Sequence, residues 1–311
     1  MTLLYTDRRF LDHDTGRHPE AAIRLEHVTR LLDSSGVADR CNRPKWEPAG
    51  HAELQAVHEP RYLQAIAALA SRGGGRIESD TVISPQSFEV ARLAAGAACD
   101  AVRRVVRGED TSALCLVRPP GHHAVRDRAM GFCLLGNIAV AAQFAINELQ
   151  LDRVLVVDWD VHHGNGTQDI FYAQDRVGFF SAHRWPFYPG TGAADETGRG
   201  AGLGATLNLP VTFGTTRRAY LTRFADELAG FASRIKPQLV LISAGFDSHA
   251  QDPIGSLGVE TEDFAELTQI VQAVANDHAG GRIVSVLEGG YNPPVLAQCV
   301  ALHLENLLDG R

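Results

Sequence analysis

The chain is 311 residues long, 45% hydrophobic and 21% charged, the values of an ordinary globular protein with no apolar run long enough to cross a bilayer. Its formal charge of −8 at pH 7 argues against the basic surface that nucleic acid requires and mildly favours cationic substrates through long-range attraction. No Pro/Ser-rich or charged linker divides the chain, so one α/β domain over residues 1–311 is expected.

The N-terminal MTLLYTDRRF lacks the basic-then-apolar pattern of a secretion signal, and residues 2–6 (TLLYT) read as a first strand. Pro19 suits the first position of a helix running to about Leu32 and ended by Gly36. The polar loop 12–20 before it carries His13 and His18, which are expected to face solvent. Residues 60–71 and 85–107 are predicted to be helical, the second Ala-rich with a long apolar face. Between them, 73–84 is a flexible loop with Asp80 near its end, placed to form a rim. Residues 113–117 (ALCLV) form the next buried strand, followed at once by Arg118-Pro119-Pro120-Gly121-His122-His123. The two prolines keep the chain extended, so a stiff loop presents the histidine pair as a candidate acid/base. Gly131-Phe132-Cys133 lies just beyond, and 136–149 is an apolar helix.

Residues 154–157 (VLVV) suit a strand buried on both faces of a parallel sheet. Asp158, Asp160, His162, His163 and Asn165 follow directly, and Gly164 and Gly166 let the chain turn as it leaves the sheet edge. On an extended segment Asp158, Asp160 and His162 face one side. Asp and His together suit Zn²⁺, Fe²⁺ or Co²⁺, whereas Mg²⁺ or Ca²⁺ would favour oxygen ligands alone. Strand 177–180 leads into Ser181-Ala182-His183 and the aromatic, glycine-rich loop 185–192. Strand 205–211 and helix 216–235 come next. Strand 239–244 ends in Gly245-Phe246-Asp247, strand 283–287 ends in Glu288-Gly289-Gly290-Tyr291, and a helix covers 294–308. Five widely spaced cysteines without a CxxC pair fit reduced thiols in a cytoplasm.

Regular βα alternation brings the four chemistry-bearing strand ends to one face. Asp160, His162 and Asp247 then offer three ligands and an open position for water, as in a catalytic metal site. Water bound there has a pKa of about 7. His122 or His123 supplies a base, with a carboxylate such as Asp158 fixing a ring, and Tyr291, on the flexible pair Gly289-Gly290, can donate to a developing oxyanion. The parts add up to metal-assisted amide hydrolysis.

The motifs RPPGHHA (118–124), GFC (131–133), DWDVHHGNGTQ (158–168), SAHR (181–184), PGTG (189–192), SAGFDS (243–248), DPIG (252–255) and LEGGYN (287–292) resemble the zinc-dependent histone deacetylase and acetylpolyamine amidohydrolase superfamily, the class II group most closely, over nearly the whole chain. The resemblance implies the arginase-like fold, an α/β domain with a central, mostly parallel sheet flanked by helices. It implies one catalytic Zn²⁺ on Asp160, His162 and Asp247, for which Fe²⁺ or Co²⁺ could substitute. His123 would be the general base, His122 paired to Asp158 its electrostatic partner, and Tyr291 the group that polarises the acyl carbonyl. Asn165 stands where some relatives have a second Asp, which makes the partner of His123 neutral. A structural K⁺ site is implied over Asp158, main-chain oxygens of Asp160, His162 and Ala182, and the Ser181 hydroxyl. The substrate's alkyl chain would run between Phe132 and Tyr188, beside Gly131 and Gly290, with Ile254 and Asp80 at the rim. Tyr188 replaces the Phe of many relatives, and Ile254 replaces the Glu of a polyamine-selective one.

The expected function is removal of acetyl or other short acyl groups from the ε-amine of lysine in peptides or proteins, with an acylated small amine such as acetylpolyamine as the alternative substrate. A binuclear ureohydrolase would need metal ligands where this chain has Val161 and Asn165. A catalytically dead acyl-lysine binding module would have no use for Tyr291, His122 and His123. Neither nucleic acid nor membrane is an expected partner, and a homo-oligomer is compatible with the sequence.

Overall fold

Short runs of β-branched and apolar residues pair side by side in the computed structural model, which describes residues 1–310. In chain order the strands are β1 Leu3–Tyr5, β2 Gly75–Arg76, β3 Val82–Ile83, β4 Ser112–Cys115, β5 Val154–Asp158, β6 Val177–Arg184, β7 Thr206–Val211, β8 Leu239–Ala244 and β9 Ile283–Leu287. Seven of them form one parallel sheet in the order β1-β4-β9-β8-β5-β6-β7, and β2 and β3 form a separate antiparallel pair. The helices are α1 Ile23–Ser34, α2 His51–Gln55, α3 Pro60–Ser71, α4 Ser87–Val106, α5 Asn137–Asn147, α6 Asn165–Phe171, α7 Arg217–Ile235, α8 Thr261–Ala279 and α9 Pro293–Asp309.

A parallel sheet buries both faces. Helices α4 and α5 pack on each other and over β4, β9, β5 and β8, while α1, α9, α8 and α7 are neighbours in a second series. Val154, Leu155, Val156 and Val157 are wholly buried as a result, each contributing about 1.5–3 kcal/mol. Among the described residues no helix is long and apolar enough to cross a membrane.

Register places the chemistry. Asp158 lies between Ser181 of β6 and Ser243 of β8, and Ala244 lies beside Leu287 of β9. The segments that begin at 159, 245 and 288 therefore leave the sheet at nearly one height, on its carboxyl edge, where open α/β sheets bind ligands.

Several elements differ from the expectation. Helix α1 starts at Ile23 rather than Pro19, because Glu20 is drawn inward by Arg24 and Arg118 and residues 19–22 remain a turn. Strand β6 runs on to Arg184, since β7 keeps pairing with it as far as Val211. The loop 73–84 closes through the β2–β3 pair, and α6 and α8 are additional helices. The chain beyond Asp158 is bent rather than extended: Asp158 Oδ1 accepts the N–H of Asp160 at 3.1 Å, and Asp160 Oδ1 accepts that of His162 at 2.9 Å.

Candidate active site

Asp160, His162 and Asp247 are buried together, with one ligand atom from each lying within 4.8 Å of the others. His162 Nδ1 bonds Asp160 Oδ1 at 3.0 Å and stands 3.2 Å from Asp247 Oδ2. Apart from this ion-pair approach of His162, that Oδ2 has no hydrogen-bond partner among the described residues, a costly state for a buried carboxylate oxygen. Burial, then the charge of Asp160, push the Asp247 carboxyl up to about 7. Burial disfavours a charged His162 as well, yet the two carboxylates outweigh it and raise its pKa to about 10. Main-chain amides hold the remaining oxygens: Gly289 N–H donates to Asp160 Oδ2 at 2.9 Å and Val161 N–H to Asp247 Oδ1 at 2.9 Å. A Cβ at Gly289 would come within 2.2 Å of Asp247 Oδ2 and 2.6 Å of Asp160 Oδ2, so only glycine lets the β9 exit close on the two carboxylates. Two carboxylates and an imidazole, one oxygen unsatisfied, are a donor set that fits a borderline dication such as zinc.

The histidine pair stands beside this group, with ring centroids 4.0 Å apart. His122 Nδ1 is 2.9 Å from Asp158 Oδ2; Asp158 thus turns to the histidine rather than joining Asp160 and His162. Burial opposes charge on His122, but Asp158 and Asp160 prevail and hold its pKa well above the usual histidine range. His123 Nδ1 is 2.7 Å from Asn165 Oδ1, while Asn165 Nδ2 donates to Met130 Sδ at 3.3 Å. Burial, reinforced by the fields of His122 and His162, drives the His123 pKa well below that range. Gly131 makes room for the ring: a Cβ there would lie 2.3 Å from His123 Cδ2. His163, the other histidine of the cluster, bonds Thr191 and Gln168 instead. Of the residues expected around K⁺, Asp158 and Ser181 are register partners, and Ser181 Oγ lies 2.9 Å from His183 Nδ1; Asp160, His162 and Ala182 belong to the same two strand ends.

Tyr291 is nearly buried, edge-on to Phe132 at 5.6 Å and beneath the guanidinium of Arg24 at 5.0 Å. Its hydroxyl stays protonated because burial raises its pKa well above 10. The Gly289-Gly290 pair does not swing freely. Arg24 Nε donates to the Gly290 carbonyl at 2.7 Å, Arg24 Nη2 donates to that of Glu288, and Asp252 Oδ2 accepts the Tyr291 N–H at 2.6 Å.

Glu20, Arg24, Arg118, Glu288 and Asp252, which hold this frame, were given no role by the sequence. Glu20 pairs with both Arg24 and Arg118 in full burial. Glu288 Oε2 accepts the N–H groups of Gly121 at 2.6 Å and His122 at 3.1 Å, so it sets the loop that carries the histidine pair. Asp252 also accepts from Ile254 and Gly255. The available signals were the i,i+4 spacing of Glu20 and Arg24 and the places of Glu288 and Asp252 within LEGGYN and DPIG. His13, expected at the surface, is buried between Ser87 and Glu20.

Around the opening, Tyr188 stands edge-on to His123 at 5.2 Å and His162 at 6.0 Å, whereas Phe132 sits between Tyr291 and His18. Tyr188 and Ile254 are each 37% exposed. Asp80 joins the Phe132 side, its carbonyl accepting from His18 and its carboxylate from Thr81, whose hydroxyl accepts the Phe132 N–H. Burial, then the charges of Asp80 and Glu78, raise the Tyr188 pKa, so both carboxylates lie within electrostatic reach of this opening. Gly290 is buried, and a side chain there would run into Leu296 and Phe246.

The family model described as "Histone deacetylase domain" matches residues 18–307. The histone deacetylase-like amidohydrolase of Pseudomonas aeruginosa is 40% identical over 291 residues, 93% of this chain and 77% of that protein. The human polyamine deacetylase HDAC10 is 41% identical over 307 residues; the match covers 93% of this chain but 45% of that longer protein. The crystal structure of the HDA15 HD domain superposes with a TM-score of 0.92 at 37% identity, covering 99% of this chain and 91% of that one.

Proposed function

This chain belongs to the histone deacetylase family, and from that premise we propose that it is a zinc-dependent deacylase that removes acetyl or other short acyl groups from the ε-amine of lysine in peptides or proteins. The observation that carries the reading is the buried group Asp160, His162 and Asp247 beside a His123 kept neutral by its surroundings. In this reading Asp160, His162 and Asp247 hold the zinc, which when bound supplies Lewis-acid polarisation of the acyl carbonyl and acidification of water.

The chain's own groups do the rest. With the Nδ1 proton of His123 directed at Asn165 Oδ1, its Nε2 carries the lone pair; there it takes a proton from the attacking water and later delivers it to the departing amine. His122 stays charged against Asp158 and makes its neighbour a weaker base in the resting state. Tyr291, held by Arg24 and Asp252, donates its hydroxyl proton in a hydrogen bond to the carbonyl oxygen as charge develops on it. Phe132 and Tyr188 flank the alkyl chain. A structural K⁺ over Asp158, Asp160, His162, Ser181 and Ala182 would steady the strand ends behind the histidines.

Peptide over polyamine is favoured by Ile254, which puts no charge at the opening where a free ammonium would seek one. Asp80 can instead accept hydrogen bonds from peptide N–H groups. The polyamine reading draws on the pair of carboxylates, Asp80 and Glu78, near Tyr188, and on the 41% identity to a polyamine deacetylase. Steady-state kinetics on an acetyl-lysine peptide and on acetylspermidine with zinc-loaded protein test the choice: kcat/KM is expected to be higher for the peptide, and the reverse order would make the substrate a polyamine.

A further inference from the structure

The last residue of β6 does a job that the proposed chemistry does not use. The Arg184 guanidinium lies between two aromatic faces, 4.3 Å from the ring centroid of Phe187 and 4.5 Å from that of Phe213. Its Nη1 donates to the carbonyls of Gly255 at 3.0 Å and Ser256 at 3.3 Å. Phe187 in turn stacks on His162 with centroids 5.2 Å apart and planes 16° from parallel. Phe213 is 60% exposed, a large apolar side chain whose observed contact of note is this cation.

We propose that Arg184 is a positioning residue for the substrate channel, its clasped guanidinium locking the loop that carries Ile254 to the segment that carries Phe187 and Tyr188. The inference rests on the reading of Tyr188 as one flank of the alkyl chain and of Ile254 as a residue of the rim. The 252–256 loop is also held on its own side: Asp252 accepts the Tyr291 N–H at 2.6 Å, and Ser256 N–H donates to the Asp247 carbonyl at 2.7 Å. Arg184 is the anchor that ties this loop to the segment of Phe187 and Tyr188. The chemistry demands arginine. A planar guanidinium can stack on two rings while its edge donates to two carbonyls, whereas a lysine ammonium is a compact point charge with no plane to stack. Loss of the clasp leaves Tyr188 and Ile254 in place but lets their separation vary, which weakens the grip on the alkyl chain rather than the reacting groups.

The test is a set of full-length, zinc-loaded variants, Arg184→Met, Arg184→Lys and Phe213→Ala, assayed for acetyl-lysine peptide turnover and for amide hydrogen exchange. Arg184→Met is expected to raise KM by about tenfold, the effect of losing roughly 1.4 kcal/mol of binding, with kcat little changed and exchange faster at 252–258 and 185–190 alone. Arg184→Lys should not restore KM, and Phe213→Ala should move KM the same way by a smaller factor. Unchanged KM with unchanged exchange in those segments, or faster exchange spread over the whole sheet, overturns the proposal. Should the wild-type chain turn over no acyl substrate, the proposed function fails, and the exchange pattern still decides whether Arg184 couples the two segments.

Discussion

His123 Nδ1 stands 2.7 Å from the side-chain oxygen of Asn165, a neutral partner, while its neighbour His122 faces the carboxylate of Asp158 at 2.9 Å. The two adjacent imidazoles are driven in opposite directions: Asp158 and Asp160 outweigh burial and hold His122 toward the charged form, while burial, with the charges of His122 and His162, drives His123 toward the neutral one. Asn165→Asp would place a carboxylate on His123 and favour its imidazolium, raising its pKa. A base must be neutral to act, so the acid limb of the kcat/KM profile should move to higher pH. An unmoved limb would take the base role away from His123.

Tyr291→Phe removes one hydroxyl and leaves the ring against Phe132 and Arg24. Loss of one oxyanion donor costs about 10²–10³ in kcat, and KM should stay near the wild-type value because the bond strengthens in the transition state. Retention of most of kcat would mean that another group fills the role.

The Glu20, Arg24 and Arg118 cluster makes a stability prediction. Burial disfavours the Glu20 carboxylate, but Arg118 outweighs burial and lowers its pKa from 4.5 to about 2. A depressed carboxyl stabilises the fold fully above its unfolded pKa, so this contribution is present above pH 4.5 and is lost as pH falls toward 2. Glu20→Gln leaves two buried guanidiniums short of their counter-charge and should cost about 3–5 kcal/mol in urea unfolding at pH 7. A loss under 1 kcal/mol would show that water or another group compensates.

Ile254→Glu puts a carboxylate at a half-exposed position of the mouth. It should raise kcat/KM for acetylspermidine about three- to tenfold, the worth of roughly 1 kcal/mol from a partly screened ion pair, and leave an uncharged acetyl-lysine peptide nearly unaffected. Equal changes for both substrates would remove position 254 from the specificity account.

Much of this site could be read from the sequence because its grammar is local. A run such as 154–157 announces a buried strand, and several ionisable residues directly after it are costly without a purpose. Parallel topology then makes neighbours of Asp160, Asp247 and Tyr291. The roles of Arg24 and Asp252 are hidden for a physical reason: the Glu20–Arg24 spacing and the DPIG motif mark the residues, but what they hold are main-chain carbonyls and amides of the 288–291 segment, groups that every residue offers. The extent of β6 depends on what β7 presents to it, and the start of α1 on the burial of Glu20, both decided by tertiary contact. Helix α8 is missing from the sequence expectation although its pattern is local, with Asp263 capping its start and Phe264, Leu267, Val271 and Val274 buried at helical spacing.

The central claim is that one zinc per chain turns this pocket into a deacylase. Its most direct test is acetate release from an acetyl-lysine peptide as metal-stripped protein is titrated with Zn²⁺. No release is expected from the stripped protein, with a rise that saturates at one equivalent, since Asp160, His162 and Asp247 form a single three-ligand group. Release that is indifferent to zinc, or that saturates only at two equivalents, would contradict it.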